Sequence, residues 1–136
     1  EAEMEVKITH SGRARFIIQA RQHVIESDQP RQIGGDDMAM TPPEIFLAAL
    51  GSCAAFYAVQ FLSSRKLADS GLEVRIEAEK LHNPARLGNF LVYVNSPVSL
   101  NQDQTLAMGR SIRHCLIHQT MMSEPQIEVR IYASAK

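Results

Sequence analysis

Apolar and polar residues alternate from Met4 to Thr9, with Met4, Val6 and Ile8 on one face, and the turn-forming pair Ser11-Gly12 leads into a second extended run, Ala14 to Ala20. Because successive strand side chains point to opposite faces, this spacing predicts a β-hairpin. A third extended piece, His23 to Glu26, ends in the sequence SDQP. From Asp28 to Met40 the polar residues, Gly34-Gly35 and the acidic pair Asp36-Asp37 break any period, which predicts a loop.

The clearest punctuation follows. Thr41 precedes Pro42-Pro43-Glu44, so a hydroxyl cap, prolines in the first turn and an early carboxylate announce a helix through three separate effects. From Ile45 to Leu62 the apolar residues cover nearly every side, as in a helix surrounded by protein, and Arg65, Lys66 and Gly71 close it. The same stretch approaches the length of a membrane span, but it contains Gly51, Ser52, Cys53 and Gln60, and a buried central helix is the expected state.

Beyond it, Leu72, Val74, Ile76 and Ala78 alternate with Glu73, Arg75, Glu77 and Glu79, the pattern of a half-buried strand. Asn83-Pro84 supplies a turn, and Phe90, Val92 and Val94 repeat the alternation. Between Asn101 and Met122, Leu106, Gly109, Ile112 and Leu116 follow helical spacing; Gly109 weakens it, leaving one helix or two short ones. After Pro125, the residues Ile127, Val129 and Ile131 predict a last strand. The order is β-β-β-α-β-β-α-β, an α+β fold with antiparallel strands and two main helices.

A chain of 136 residues with 45% hydrophobic content suits one domain, expected to span residues 1–136. Fourteen Lys+Arg against fifteen Asp+Glu give a net charge of −1, so no overall field recruits nucleic acid. The start EAEMEVKITH lacks the basic, apolar and small-residue sections of a secretory signal, and the expected location is cytoplasmic with no membrane partner.

Two cysteines, Cys53 and Cys115, are too few for a secreted disulfide framework and lack CxxC spacing. Each falls on a predicted helix. Free cysteine commonly packs as a small hydrophobe, and composition alone does not choose between inert core and redox chemistry. To reduce a peroxide, a thiol must be a thiolate, and an unperturbed cysteine is mostly protonated near neutral pH. The helix dipole is a poor activator for Cys53, which lies roughly 15 Å along the helix from Pro43. No cation stands at helical contact spacing, since positions 49, 50, 56 and 57 are Ala, Leu, Phe and Tyr. An activating guanidinium has to come from elsewhere; Arg13, Arg15, Arg21 and Arg31 precede the helix, and a carboxylate such as Glu44 would orient one. A sulfenic acid formed on one cysteine is protected when a second thiol converts it to a disulfide, which requires the two Cα atoms within about 7 Å.

His114 and His118 flank Cys115, and C-x-x-H offers two metal ligands, but no second pair of suitable spacing appears, so no metal is expected.

The stretch GGDDMAMTPPEIFLAALGSCAAF, ending just beyond Cys53, resembles the OsmC and organic hydroperoxide resistance superfamily, and Arg113 to Met121 resembles the family's later helix. The combination of SDQP, GGDDMAM and TPPEIFLAALGSC is most similar to the OsmC-like branch. The resemblance implies an intertwined homodimer in which Cys53 attacks the peroxide and Cys115 resolves the product. It also implies an organic hydroperoxide substrate, a dithiol or lipoyl-type reductant, and no metal, haem or flavin cofactor. Phe46, Leu50, Phe56 and Tyr57 would suit an organic peroxide.

For the activating arginine, Gly12-Arg13-Ala14 and Arg31 each resemble a different branch's arginine region. Glu44 stands nine residues before Cys53, where the hydroperoxide resistance branch has its glutamate ten before, a difference of about 100° around a helix. Leu116 follows Cys115 where many relatives have proline. The function these features imply is a thiol-dependent peroxidase of oxidative stress defence. The alternative is a binding protein of the same fold, holding a hydrophobic or sulfur-containing ligand without turnover.

Overall fold

The structure, a computed structural model, describes residues 3–133. Its residues gather into two compact units, Glu1–Ala49 and Leu50–Lys136, and one long helix belongs to both.

In the first unit, β1 (Lys7–Gly12), β2 (Arg15–Ala20) and β3 (His23–Ser27) form an antiparallel sheet in the order β1-β2-β3. Ile8 faces Ile18 across the hairpin, and the register slips between His10 and Gly12 where the chain turns. Arg13 sits in that turn in the left-handed region, with φ of 48°. The expected hairpin and third strand are therefore present. The loop after β3 contains a single 3-10 turn, Arg31–Ile33.

Helix α1 (Pro42–Ser64) starts where the capping signals place it. The Thr41 N–H donates to Glu44 Oε1 at 2.8 Å, and the Glu44 N–H donates back to Thr41 Oγ1 at 3.3 Å. Two otherwise unpaired N–H groups are satisfied by this reciprocal pair.

The second unit holds the rest of α1, the hairpin β4 (Glu73–Leu81) and β5 (Arg86–Asn95), and helices α2 (Gln102–Ile112) and α3 (Leu116–Met122). Along β4, Val74, Ile76 and Ala78 are half-buried while Glu73, Arg75, Glu77 and Glu79 are exposed, as the alternation predicts. Asn101 caps α2 through a capping box with Gln104. The core joins Ala58, Phe61 and Leu62 of α1 to Met108 of α2, with Leu72 and Val94 packed against it. Burial of a side chain such as Leu62 or Phe61 contributes about 1.5–3 kcal/mol. This core holds the middle of α1 against the hairpin and α2, and so places the neighbourhood of Cys53.

Three differences from the expected order stand out. The second helical region is two helices, and the break falls at His114-Cys115, while Gly109 lies inside α2. The last predicted strand does not form: Ile127, Val129 and Ile131 are 82%, 78% and 85% exposed and belong to neither sheet. Alternation makes a segment fit for a strand, but a strand exists only when a neighbour accepts its backbone hydrogen bonds. Finally, α1 is not covered on all sides within this chain, for Phe46 and Phe56 are exposed. The fold remains α+β with antiparallel sheets.

Candidate redox site

Cys53 lies on α1 and Cys115 is the cap residue of α3. The two form a disulfide, with Cα atoms 5.8 Å apart, a usual separation for such a bond. The chain brings them together because α2 ends at Ile112 and a tight turn follows. The N–H groups of His114 and Cys115 donate to the carbonyls of Ser111 and Ile112 at 3.1 and 3.0 Å. Gln119 then reaches back from α3 to donate to the Arg113 carbonyl at 2.7 Å. These bonds fix the α2–α3 corner and turn the Cys115 side chain inward.

The two sulfurs differ in environment. Cys115 is 0% exposed, whereas Cys53 is half-buried. The His118 N–H donates to Cys115 Sγ at 3.4 Å. Two cavities are lined by residues close in sequence to the two cysteines. One of about 530 Å³ is lined by Tyr57, one turn beyond Cys53, and by His114, with Phe61 and Arg65 farther along. The other, about 270 Å³, is lined by Leu50, Phe90, Val92, His118 and Met121. Leu50 and Tyr57, three residues before and four residues after Cys53, thus each line a cavity. Phe56 is exposed and packs edge-on against Tyr57, with ring centroids 5.5 Å apart.

The other predicted site residues belong to the first unit. Arg13 pairs with Asp36, Nε to Oδ1, at 3.4 Å and donates to the Gly34 carbonyl at 3.3 Å. Arg31 is exposed at the start of the 3-10 turn. Glu44 is engaged with Thr41, accepting from both its N–H and its hydroxyl. Phe46 lines an almost wholly apolar cavity of about 430 Å³ with Phe16, Ile18 and Ile45.

Sequence reasoning missed Asp28, which is 1% exposed and holds together the loop that carries Arg31 and Asp36. Its carboxylate accepts from the N–H groups of Gln29 at 2.7 Å, Met38 at 3.0 Å and Asp36 at 3.3 Å. Burial pushes its pKa up most strongly of any single influence, but the bonds from Met38, Gln29 and Asp36 and the charge of Arg15 together hold it below the usual carboxylate value. An aspartate at the start of a polar stretch carries no signal that distinguishes this role from an ordinary exposed turn. Among the described residues, no three His, Cys, Asp or Glu side chains gather as a metal-ligand set.

Solved structures share this fold at low sequence identity. A Psychrobacter arcticus protein named for osmotic stress induction and detoxification response superposes with a TM-score of 0.80 at 16% identity, covering 88% of this chain and 89% of its own. An organic hydroperoxide resistance protein OsmC from Legionella pneumophila gives 0.66 at 18% identity, over 89% and 91% of the two chains. An OsmC-like protein from Mycoplasma pneumoniae gives 0.70 at 15%, over 90% and 89%. No curated protein sequence matches the chain. The sequence profile of the OsmC-like proteins matches residues 34–130, a span that includes both cysteines, and the chain belongs to the OsmC-like family.

Proposed function

We propose that this protein is a thiol-dependent peroxidase that reduces organic hydroperoxides in oxidative stress defence, working in the cytoplasm as a homodimer. The observation that carries the reading is the disulfide between Cys53 and Cys115, which couples the two thiols of the chain across separate helices. Cys53, the less buried sulfur, attacks the terminal oxygen of the peroxide as a thiolate. The O–O bond breaks, the alcohol leaves after taking a proton, and Cys53 becomes a sulfenic acid. The Cys115 thiol displaces water from that sulfenic acid, giving the disulfide. A dithiol, such as a lipoyl group, returns both cysteines to thiols.

The mostly apolar lining of the smaller cavity, from Leu50, Phe90, Val92 and Met121, supports an organic peroxide over hydrogen peroxide. Arg13 and Arg31 are the candidates for the cation that keeps Cys53 ionised, with Glu44 as a candidate orienting carboxylate. The exposed apolar residues of α1 and of the segment after Pro125 support association with a second copy.

The test is consumption of cumene hydroperoxide with dihydrolipoamide as reductant. Cys53→Ser abolishes turnover, and Cys115→Ser permits one oxidation without efficient recycling. Full activity in the Cys53→Ser protein overturns the reading. Replacing Arg13 and Arg31 singly by Ala identifies the activating cation as the one whose loss depresses kcat/KM and raises the apparent pKa of Cys53.

A further inference from the structure

A cavity of about 490 Å³ opens between β5, α2 and the start of α3, and no residue of α1 lines it. We propose that it is a separate binding site, apart from the cysteines, for a single-chain apolar carboxylate of medium length, with Arg113 as the anchor for the carboxylate.

The volume lies within the range of small-molecule pockets, about 300–1,000 Å³. Val94, Val98, Leu100, Met108 and Ile112 form its apolar wall. Met108 belongs to the buried core and the other four pack against that core, so the wall is in place before a ligand arrives. An apolar chain laid along these side chains removes both surfaces from water.

Gly109, which also lines the cavity, shows what keeps the space open. Glycine is the poorest helix former after proline, and this one stands inside α2. At Gly51 the close approach of β4 explains the missing side chain. At Gly109 no such neighbour exists: a Cβ built there meets only Arg113 Nη1, at 3.9 Å, and the backbone is outside the left-handed region. The absent side chain leaves room in the cavity, next to the guanidinium.

That guanidinium selects the ligand. None of the lining side chains is acidic, and among the described residues Arg113 forms no ion pair. The hydroxyls of Ser96 and Thr105, also in the lining, already donate to the carbonyls of Val98 and Asn101. Arg113 is therefore the charged group available to a polar head, and its planar fork matches a carboxylate. The His118 ring lines the same cavity and offers a further hydrogen bond. A neutral head forgoes the charge contact, and a cationic one is repelled.

The experiment uses the full chain with its disulfide intact and measures binding of decanoate, below its micelle concentration, by isothermal titration calorimetry. Decanoate is expected to bind, with decanol and decyltrimethylammonium weaker by about tenfold or more. Gly109→Leu puts a side chain into the cavity and is expected to abolish binding while the helical circular dichroism is retained. Arg113→Gln is expected to raise the Kd for decanoate about tenfold and to leave that for decanol unchanged, which a general loss of structure would not do. Absence of decanoate binding, equal affinity for the alcohol, binding that survives Gly109→Leu, or an Arg113→Gln protein that keeps the parent's affinity or loses both ligands equally overturns the proposal. If Gly109→Leu does not fold, the Arg113→Gln comparison decides by the same criteria. Peroxide consumption has no part in the readout, so failure of the peroxidase reading leaves this result standing.

Discussion

Cys53 and Cys115 are 62 residues apart in sequence and 5.8 Å apart at their Cα atoms, joined by a bond that ties the middle of α1 to the start of α3. Helix α3 has no buried residue of its own, so Cys115 is the buried anchor at its start. Closing a loop of this length restricts the unfolded chain, and the chain-entropy argument gives about 4 kcal/mol, with measured cases commonly about 2–4 kcal/mol. Reduction is therefore expected to lower the free energy of unfolding by about 2–4 kcal/mol, and Cys115→Ser to reproduce that loss without reductant. Urea denaturation with and without a phosphine reductant measures it. Identical midpoints would show that the bond does not constrain the chain in solution.

Gly51, two residues before Cys53, lies where α1 meets β4. A Cβ added there would stand 3.0 Å from Ile76 Cγ1 and 3.9 Å from Val74 Cγ1, so the helix approaches the strand as closely as a missing side chain permits. Gly51→Val forces α1 and β4 apart and is expected to destabilise the protein by about 1–3 kcal/mol. The same displacement shifts Cys53 relative to Cys115. Slower disulfide formation after peroxide treatment, together with a lower Tm, is the expected pair of results. A drop in Tm with unchanged disulfide kinetics would place the strain away from the cysteines.

The parts of the fold that could be read from sequence are those whose causes are local. Thr41, the two prolines and Glu44 act within one helical turn, and α1 begins where they place it. The alternation of β4 reports a single half-buried face, and its exposure follows the same alternation through Glu79. The cysteines were visible as a pair, but their approach depends on the corner at Ser111–Cys115, whose hydrogen bonds leave no mark in the residue pattern. Gly109 looked like the weak point of the second helical region because glycine disfavours helix. The stronger constraint was the inward turn of Cys115. Asp28 stayed hidden because its burial is created by backbone N–H groups of a loop that folds around it, a tertiary event.

That loop should respond to acid. The pKa of Asp28 is held below its usual value, so its ionised form contributes stability that is fully present above the ordinary carboxylate pKa, about 3.9. The contribution is lost as pH falls below that value and through the lower folded one. Asp28→Asn keeps the side-chain shape but removes the charge. It is expected to be less stable than the parent at neutral pH, with the gap narrowing as pH falls through that window. Thermal denaturation from neutral pH to strongly acid conditions measures the gap. A constant difference across the range would show that the carboxylate charge does not hold the loop. Gly35→Ala is expected to disrupt the same loop at every pH, since its Cβ would fall 1.9 Å from the Gln29 carbonyl oxygen.

The segment after Pro125 carries a strand pattern without a strand. Ile127, Val129 and Ile131 alternate with charged Glu128 and Arg130, and all three apolar side chains are exposed. An exposed alternating segment can satisfy its backbone by pairing with a sheet edge of another chain, which is how a second copy would complete it. Replacing Val129 and Ile131 together by Lys places charge on the apolar face without altering any residue buried in the single chain. If the segment joins two copies, the double variant shifts the protein from dimer to monomer at micromolar concentration in sedimentation velocity, while the far-ultraviolet circular dichroism of the helices is retained. If the variant remains a dimer, the association uses another surface, and the exposed Phe46 and Phe56 of α1 become the next positions for the same substitution.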